Sequence, residues 1–316
     1  MKLNLFFLCL LNLALCIKTI GTPVDSAKSK KVLCSKFFIG IDCRVNAACF
    51  TNLTTGYAVG QNNLIIKTTD AGKHWDYMVS GSSGSWFYDI SFPSTDTGYI
   101  AGENGIILKT INAGKSWKPL ISKTTDNLFS LFFCNSQTGY ACGDMGTIVK
   151  TVDGGKTWKH LKTTVSSKLF SVYFINPDTG YSCGANGVLL KTENGGQTWK
   201  PMPTQTIKSL YSICFTDSIT GYASGDMGLL LKTTDAGISW ISVKTPTAVT
   251  IYSLAFSDKL TGYAVGERGT LLVTNDGGTT WNEEFVGIKS ALYSVFPFDK
   301  TKAFAAGDKG LIISIK

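Results

Sequence analysis

Arginine is all but missing from this chain: among 316 residues only Arg44 and Arg268 carry a guanidinium. A site that clamps a carboxylate between three planar, bidentate forks cannot be built from two, and lysine does not reproduce that geometry. Histidine is as scarce. His74 and His160 stand apart, neither in a cluster with metal-ligand spacing, so no metal is expected. No Ser, Cys or Lys has a visible base beside it, and no helix signal interrupts the strands of the repeat unit at residues 128–162. After residue 17 no apolar run is long enough to span a bilayer, so membrane insertion is not expected. These absences leave a protein with no expected catalytic group, cofactor or metal.

Residues 1–21 read as an export signal. Lys2 precedes an apolar run to Ile17, and cleavage fits after Cys16 or Gly21. Leu15 occupies the position before Cys16 where a lipoprotein needs a small residue, so a lipid anchor at Cys16 is not expected. Residues 22–31, "TPVDSAKSKK", read as a flexible leader, and the product as periplasmic or extracellular. The formal charge of +8 falls to +6 once Lys2 and Lys18 leave with the signal. The remaining lysines are spread without interleaved arginines and aromatics, which argues against nucleic acid as a partner. Seven cysteines remain after Cys9 and Cys16. Cys142 and Cys183 keep a repeat register and read as small buried fillers. Cys34 and Cys43 fall outside it and are the disulfide candidates.

What the chain has in abundance is a repeat. "TTDAGKHW", "TINAGKSW", "TVDGGKTW", "TENGGQTW", "TTDAGISW" and "TNDGGTTW" end in Trp75, Trp117, Trp158, Trp199, Trp240 and Trp281, in steps of 42, 41, 41, 41 and 41. Such units cannot bury both faces alone and must stack into one body. Residues 128–162 contain four short apolar runs: "LFSLFF", "GYACG", "TIVKT" and "TWKHL". Gly, Asp or Asn separates them, as in antiparallel strands joined by tight turns. The middle turn, "ENG" or "ANG" in two copies, reads as a two-residue hairpin with positive φ. The first strand recurs as "FYDISF", "LFSLFF", "LFSVYF", "LYSICF", "IYSLAF" and "LYSVFP", with a small Ser at the third position that Asp89 alone breaks with a carboxylate. Both faces of each sheet are apolar, which suits sheets packed face to face around an axis. The expected fold is all-β: a seven-bladed β-propeller of four-stranded antiparallel blades over residues 32–316. The last unit shows three strands, so the N-terminal segment 32–41 is expected to complete the last blade by pairing with residues 310–315.

The repeat resembles the Asp-box, or bacterial neuraminidase, repeat, and the longer unit resembles the seven-bladed propellers of the photosystem II stability/assembly factor family. The resemblance implies a non-enzymatic exported factor that holds a partner protein, commonly through an arginine-rich surface; two arginines cannot make that surface. Six copies in one register make Asp70, Asn112, Asp153, Asn194, Asp235 and Asp276, with their tryptophans, structural turn formers. Glu103, Asp144, Asp226, Glu267 and Asp308 fall together in the b–c turns, on one face with the d–a linkers. With Asp89 near the channel mouth, they are the candidate partner-binding face. The expected function is a monomeric protein-binding scaffold. The alternative is a carbohydrate-binding or glycoside-hydrolase-like propeller, with sialidase activity excluded by the missing arginines. An aromatic platform for sugar is not identifiable, since most aromatics keep core register and only Trp86 stands outside.

Overall fold

The computed structural model describes residues 34–38, 42–81, 84–299 and 301–316; the expected signal and leader lie outside the described residues. Seven four-stranded antiparallel sheets are present. Blade 3 serves as reference, with strands a Leu128–Phe133, b Gly139–Gly143, c Ile148–Thr151 and d Lys159–Leu161. The a strands of neighbouring blades adjoin all round, that of blade 7 (Leu292–Pro297) next to that of blade 1 (Val45–Phe50), so the sheets form a propeller.

The core lies between blades. Tyr99, Ala101 and Ile107 of blade 2 pack on Leu128, Leu131, Phe133, Val149 and Trp158 of blade 3. The Gly-Tyr pair serves this packing. Phe133 lies against Gly139, where a Cβ would stand 2.5 Å from its ring. Tyr99 of the preceding blade stacks on Phe133 with centroids 3.9 Å apart, and Trp158 meets the same ring edge-on at 6.2 Å. In the Asp box, the Thr151 hydroxyl accepts from the Gly155 N–H (2.9 Å) and donates to Asp153 (2.8 Å). Asp153 in turn accepts from the Thr157 N–H (2.9 Å) and hydroxyl (2.6 Å). Hydrogen bonds from Thr157 hold the Asp153 carboxyl down at about 2. The box also receives the previous blade: the Tyr99 hydroxyl (2.8 Å) and Lys109 Nζ (2.6 Å) both donate to the Gly154 carbonyl. Blade 6 carries Val273 where blade 2 has Lys109.

The b–c turns depart from the expected two-residue hairpin. Each of five is a single 3-10 turn, as at Glu103–Gly105 and Asp144–Gly146. Positive φ does occur, at Asn104 (52°) and Asn186 (59°), and also at Met145 (55°) and Met227 (56°), side chains that adopt it at a cost.

Blade 7 places Leu292–Pro297, Ala303–Gly307 and Leu311–Ile315 in order, and Cys34–Phe38 pairs antiparallel with the last, Cys34 opposite Ile315 and Phe38 opposite Leu311. Of the two disulfide candidates, Cys43 carries a free thiol and is not in a disulfide. The Cys43 carbonyl accepts from the Gly310 N–H, at the Phe38 end of that ladder. Cys34 lies four residues away along the strand, roughly 13 Å at strand rise. Cys142 and Cys183 are buried, as small fillers should be.

Candidate functional site

Every a strand loses register between its first and third residues, as between Leu128 and Ser130 or Ile251 and Ser253. A bulge leaves one residue out of the ladder and turns its side chain aside. The residues so displaced are Asn46, Tyr88, Phe129, Phe170, Tyr211, Tyr252 and Tyr293, one per blade. All seven line a single cavity of about 300 Å³, together with Arg44. The six rings follow one another at centroid distances of 5.2, 5.6, 5.0, 5.5 and 5.2 Å. Arg44 closes the series, its guanidinium carbon 3.3 Å above the centroid of Tyr293. Asn46, buried, donates through Nδ2 to the Phe87 carbonyl at 2.7 Å.

This collar sits at the start of the a strands, the same end as the b–c turns, so it meets the predicted acids. The Glu103, Glu267 and Asp308 carboxylates accept from the hydroxyls of Tyr88 (3.5 Å), Tyr252 (3.1 Å) and Tyr293 (3.0 Å). Asp226 likewise bonds to Tyr211. Burial, then the charge of Glu103, pushes the Tyr88 hydroxyl up to about 12. Blades 3 and 4 carry Phe129 and Phe170, which have no hydroxyl. There Asp144 pairs with Lys168 at 3.1 Å, and the fourth turn carries Ala185. The acid position also ties the linker down: Glu103 accepts from the Trp86 N–H (3.0 Å) and Asp226 from that of Ser209 (3.1 Å). In blade 1 Gln61 accepts from the Arg44 N–H at 3.2 Å. All five acids are half-buried, and four of them are partners of the collar tyrosines.

Below the collar, the third-position serines act as acceptors. The inner edge of each a strand faces the axis, where its N–H groups have no ladder partner. The hydroxyls of Ser130, Ser171, Ser212 and Ser253 accept from the N–H groups of Val172 (3.3 Å), Ile213 (3.4 Å), Leu254 (3.3 Å) and Val295 (3.2 Å) in the next blades. Asp89 does the same for Leu131 at 2.7 Å and also accepts from its own neighbour Ile90 at 2.8 Å. Burial pushes its carboxyl up to about 6, against the pull of those N–H groups.

The Asp boxes lie at the opposite end of the strands, away from the collar. His74 is exposed and contacts Asp70 of its own box, and His160 on an outer strand is also exposed. Sequence reasoning missed the collar because a ring beside a core-register Leu reads as core. The signal was the second letter of the first strand, Tyr or Phe in six units, where period-two alternation calls for the face opposite the first and third residues.

The sequence matches the family model described as photosynthesis system II assembly factor YCF48 over residues 33–125, 120–200, 157–247 and 234–316. Among solved structures, YCF48 bound to D1 peptide is 22% identical with a TM-score of 0.76, over 89% of this chain and 96% of that one. YCF48 from Cyanidioschyzon merolae is 20% identical with a TM-score of 0.75, over 89% and 98%. A GH74 xyloglucanase from Xanthomonas campestris is 14% identical with a TM-score of 0.69, over 88% of this chain and 53% of the enzyme's. At such identities these likenesses show the fold alone. No curated protein matches the sequence.

Proposed function

Since the chain belongs to the photosynthesis system II assembly factor YCF48 family, we propose that it is a non-enzymatic, exported, monomeric scaffold that binds another protein on the collar face. The observation that carries this reading is the collar: seven bulges in register aim seven side chains into one cavity on a rigid ring. Loops and displaced side chains held by such a scaffold are a usual binding surface. The relative whose structure holds a D1 peptide is a protein binder by its own description, which supports the class of partner and not its identity. The five rim acids favour a partner with a basic surface.

The GH74 likeness supports a glycosidase less well. Hydrolysis of a glycosidic bond needs two carboxylates facing each other across a substrate. Here four rim carboxylates are each turned onto a tyrosine hydroxyl.

The test is capture from extracts of the native host with the wild type and with a variant carrying Glu103→Gln, Asp144→Asn, Asp226→Asn, Glu267→Gln and Asp308→Asn. The amides keep an acceptor for each tyrosine, so folding should survive. A partner held by the wild type should associate more slowly with the variant and lose most of its salt dependence. Unchanged binding would move the site off this face. Fractionation and light scattering test export and the monomer.

A further inference from the structure

We propose that the collar is a cage for an organic cation: the ammonium or guanidinium head of a lysine or arginine side chain supplied by the docking partner. This deepens the protein-binding reading and rests on it. Aromatic faces attract a cation through their quadrupoles, most strongly where water is excluded, and here six rings surround one cavity. The tyrosine hydroxyls point outward to Glu103, Asp226, Glu267 and Asp308, so carboxylates stand behind the rings and their negative charge adds to the field at the mouth.

A second observation is independent of the rings. Asn46 is 8% exposed, and because its Nδ2 donates to the Phe87 carbonyl, the identity of its Oδ1 is fixed. That Oδ1 is buried without a hydrogen-bond partner among the described residues, on a side chain that lines the cavity. A buried acceptor left unpaired calls for a donor, and an ammonium brings three.

Arg44 shows how such a ligand would lie. Its guanidinium already occupies the face of Tyr293 at 3.3 Å, and its Nε–H has no partner among the described residues. The protein thus places its own cation on one ring, where it repels an arriving one. The opposite reading, an anion held by Arg44, sets one guanidinium against the carboxylates behind the rings.

The full chain is titrated with n-butylammonium and n-butylguanidinium by NMR, with n-butanol and butyrate as the neutral and anionic counterparts. Saturable millimolar binding of the two cations, and none of the counterparts, is expected. Arg44→Gln should tighten cation binding several-fold, and Tyr252→Leu, which keeps bulk but removes a π face, should weaken it at least five-fold. Butyrate binding that Arg44→Gln abolishes would overturn the proposal, as would failure of both cations to bind the unmodified protein. A blocked lysine tripeptide that binds at least as well as n-butylammonium supports a side chain as the source; binding of tetramethylammonium alone overturns it in favour of a quaternary ammonium ligand. The titration needs no partner, so a negative result removes the cage and leaves the docking face to the five-fold variant.

Discussion

The seam between blades 3 and 4 and the seam between blades 7 and 1 perform the same task with different chemistry. At the first, Tyr140 stacks on Phe174 at 3.7 Å, and the Gly195 carbonyl accepts from both the Tyr140 hydroxyl (3.1 Å) and Lys150 Nζ (2.7 Å). At the second, Phe304 stacks on Phe50 at 4.3 Å without a hydroxyl, and Ser314 stands where the lysine would be. In their place Phe298 meets Phe50 edge-on at 5.5 Å, while Trp75 on Phe50 repeats the edge-on contact of Trp199 on Phe174. A directed polar staple is thus replaced by dispersion and aromatic contact at the seam where the two ends of the propeller meet. Within blade 7 itself the outer strand comes from the other end of the chain: Cys34–Phe38 is held to Leu311–Ile315 by ladder hydrogen bonds and not by a hairpin.

The largest effect should come from removing that strand. Deleting residues 1–41 leaves Leu311–Ile315, buried along its whole length, as an open apolar edge. Melting should fall by roughly 10 °C or more, at about 2–4 °C per kcal/mol for a domain approaching this size. An unchanged melting temperature would mean that the paired strand contributes nothing to closure. Next in size are the Asp-box tryptophans. Trp158 is 4% exposed, and Trp158→Ala should cost about 3–5 kcal/mol by denaturant unfolding. Trp75 lies at the irregular seam and is only half-buried, so Trp75→Ala should cost clearly less. Equal losses would remove the distinction between the seams.

The repeat was legible because it is written six times. Gly-Tyr, the Asp box and the number of blades all follow from short-range signals whose physics is local: a ring over a glycine, a hydroxyl and a carboxylate tying one turn. The collar was illegible for the opposite reason. A bulge is a property of two paired strands, and the Tyr–acid pairs it creates lie 15 residues apart, as with Tyr252 and Glu267. The serines were legible as a register but not as acceptors, since their partners lie 42 residues on, as with Ser130 and Val172. The free thiol of Cys43 was hidden in the same way, by a strand whose place only the ring defines.

Asp89 sharpens the comparison from inside the ring, because it is the one carboxylate among the inner-strand acceptors. Its folded value near 6 lies above its ordinary one. The fold therefore favours the protonated form, and the penalty for ionising it is absent below roughly pH 4 and complete above the folded value. Asp89→Ser restores the residue found in five other blades. It should raise the melting temperature by a few degrees at pH 7.5 and leave it nearly unchanged at pH 4. An equal gain at both pH values would show that packing, and not ionisation, sets the difference.

The smallest effect tests the seam most directly. Phe304 occupies the position of Tyr57, Tyr99, Tyr140, Tyr181 and Tyr222, each of which donates to the third residue after an Asp-box threonine in the next blade, as Tyr57 does to Ala113 at 2.9 Å. In blade 1 that residue is Ala71. The ring is already in place: a Cβ on Gly72 would lie 3.0 Å from Phe304, the same distance as between Gly114 and Tyr57. Phe304→Tyr needs only to add an oxygen on that line, so it should stabilise by about 1 kcal/mol, the ordinary net value of such a bond. If the aromatic cluster around Phe50 has closed the space a hydroxyl would need, the substitution destabilises instead. The sign of that one change, read by denaturant unfolding, decides whether the last seam lacks its staple by sequence drift alone or has been packed in a way that excludes it.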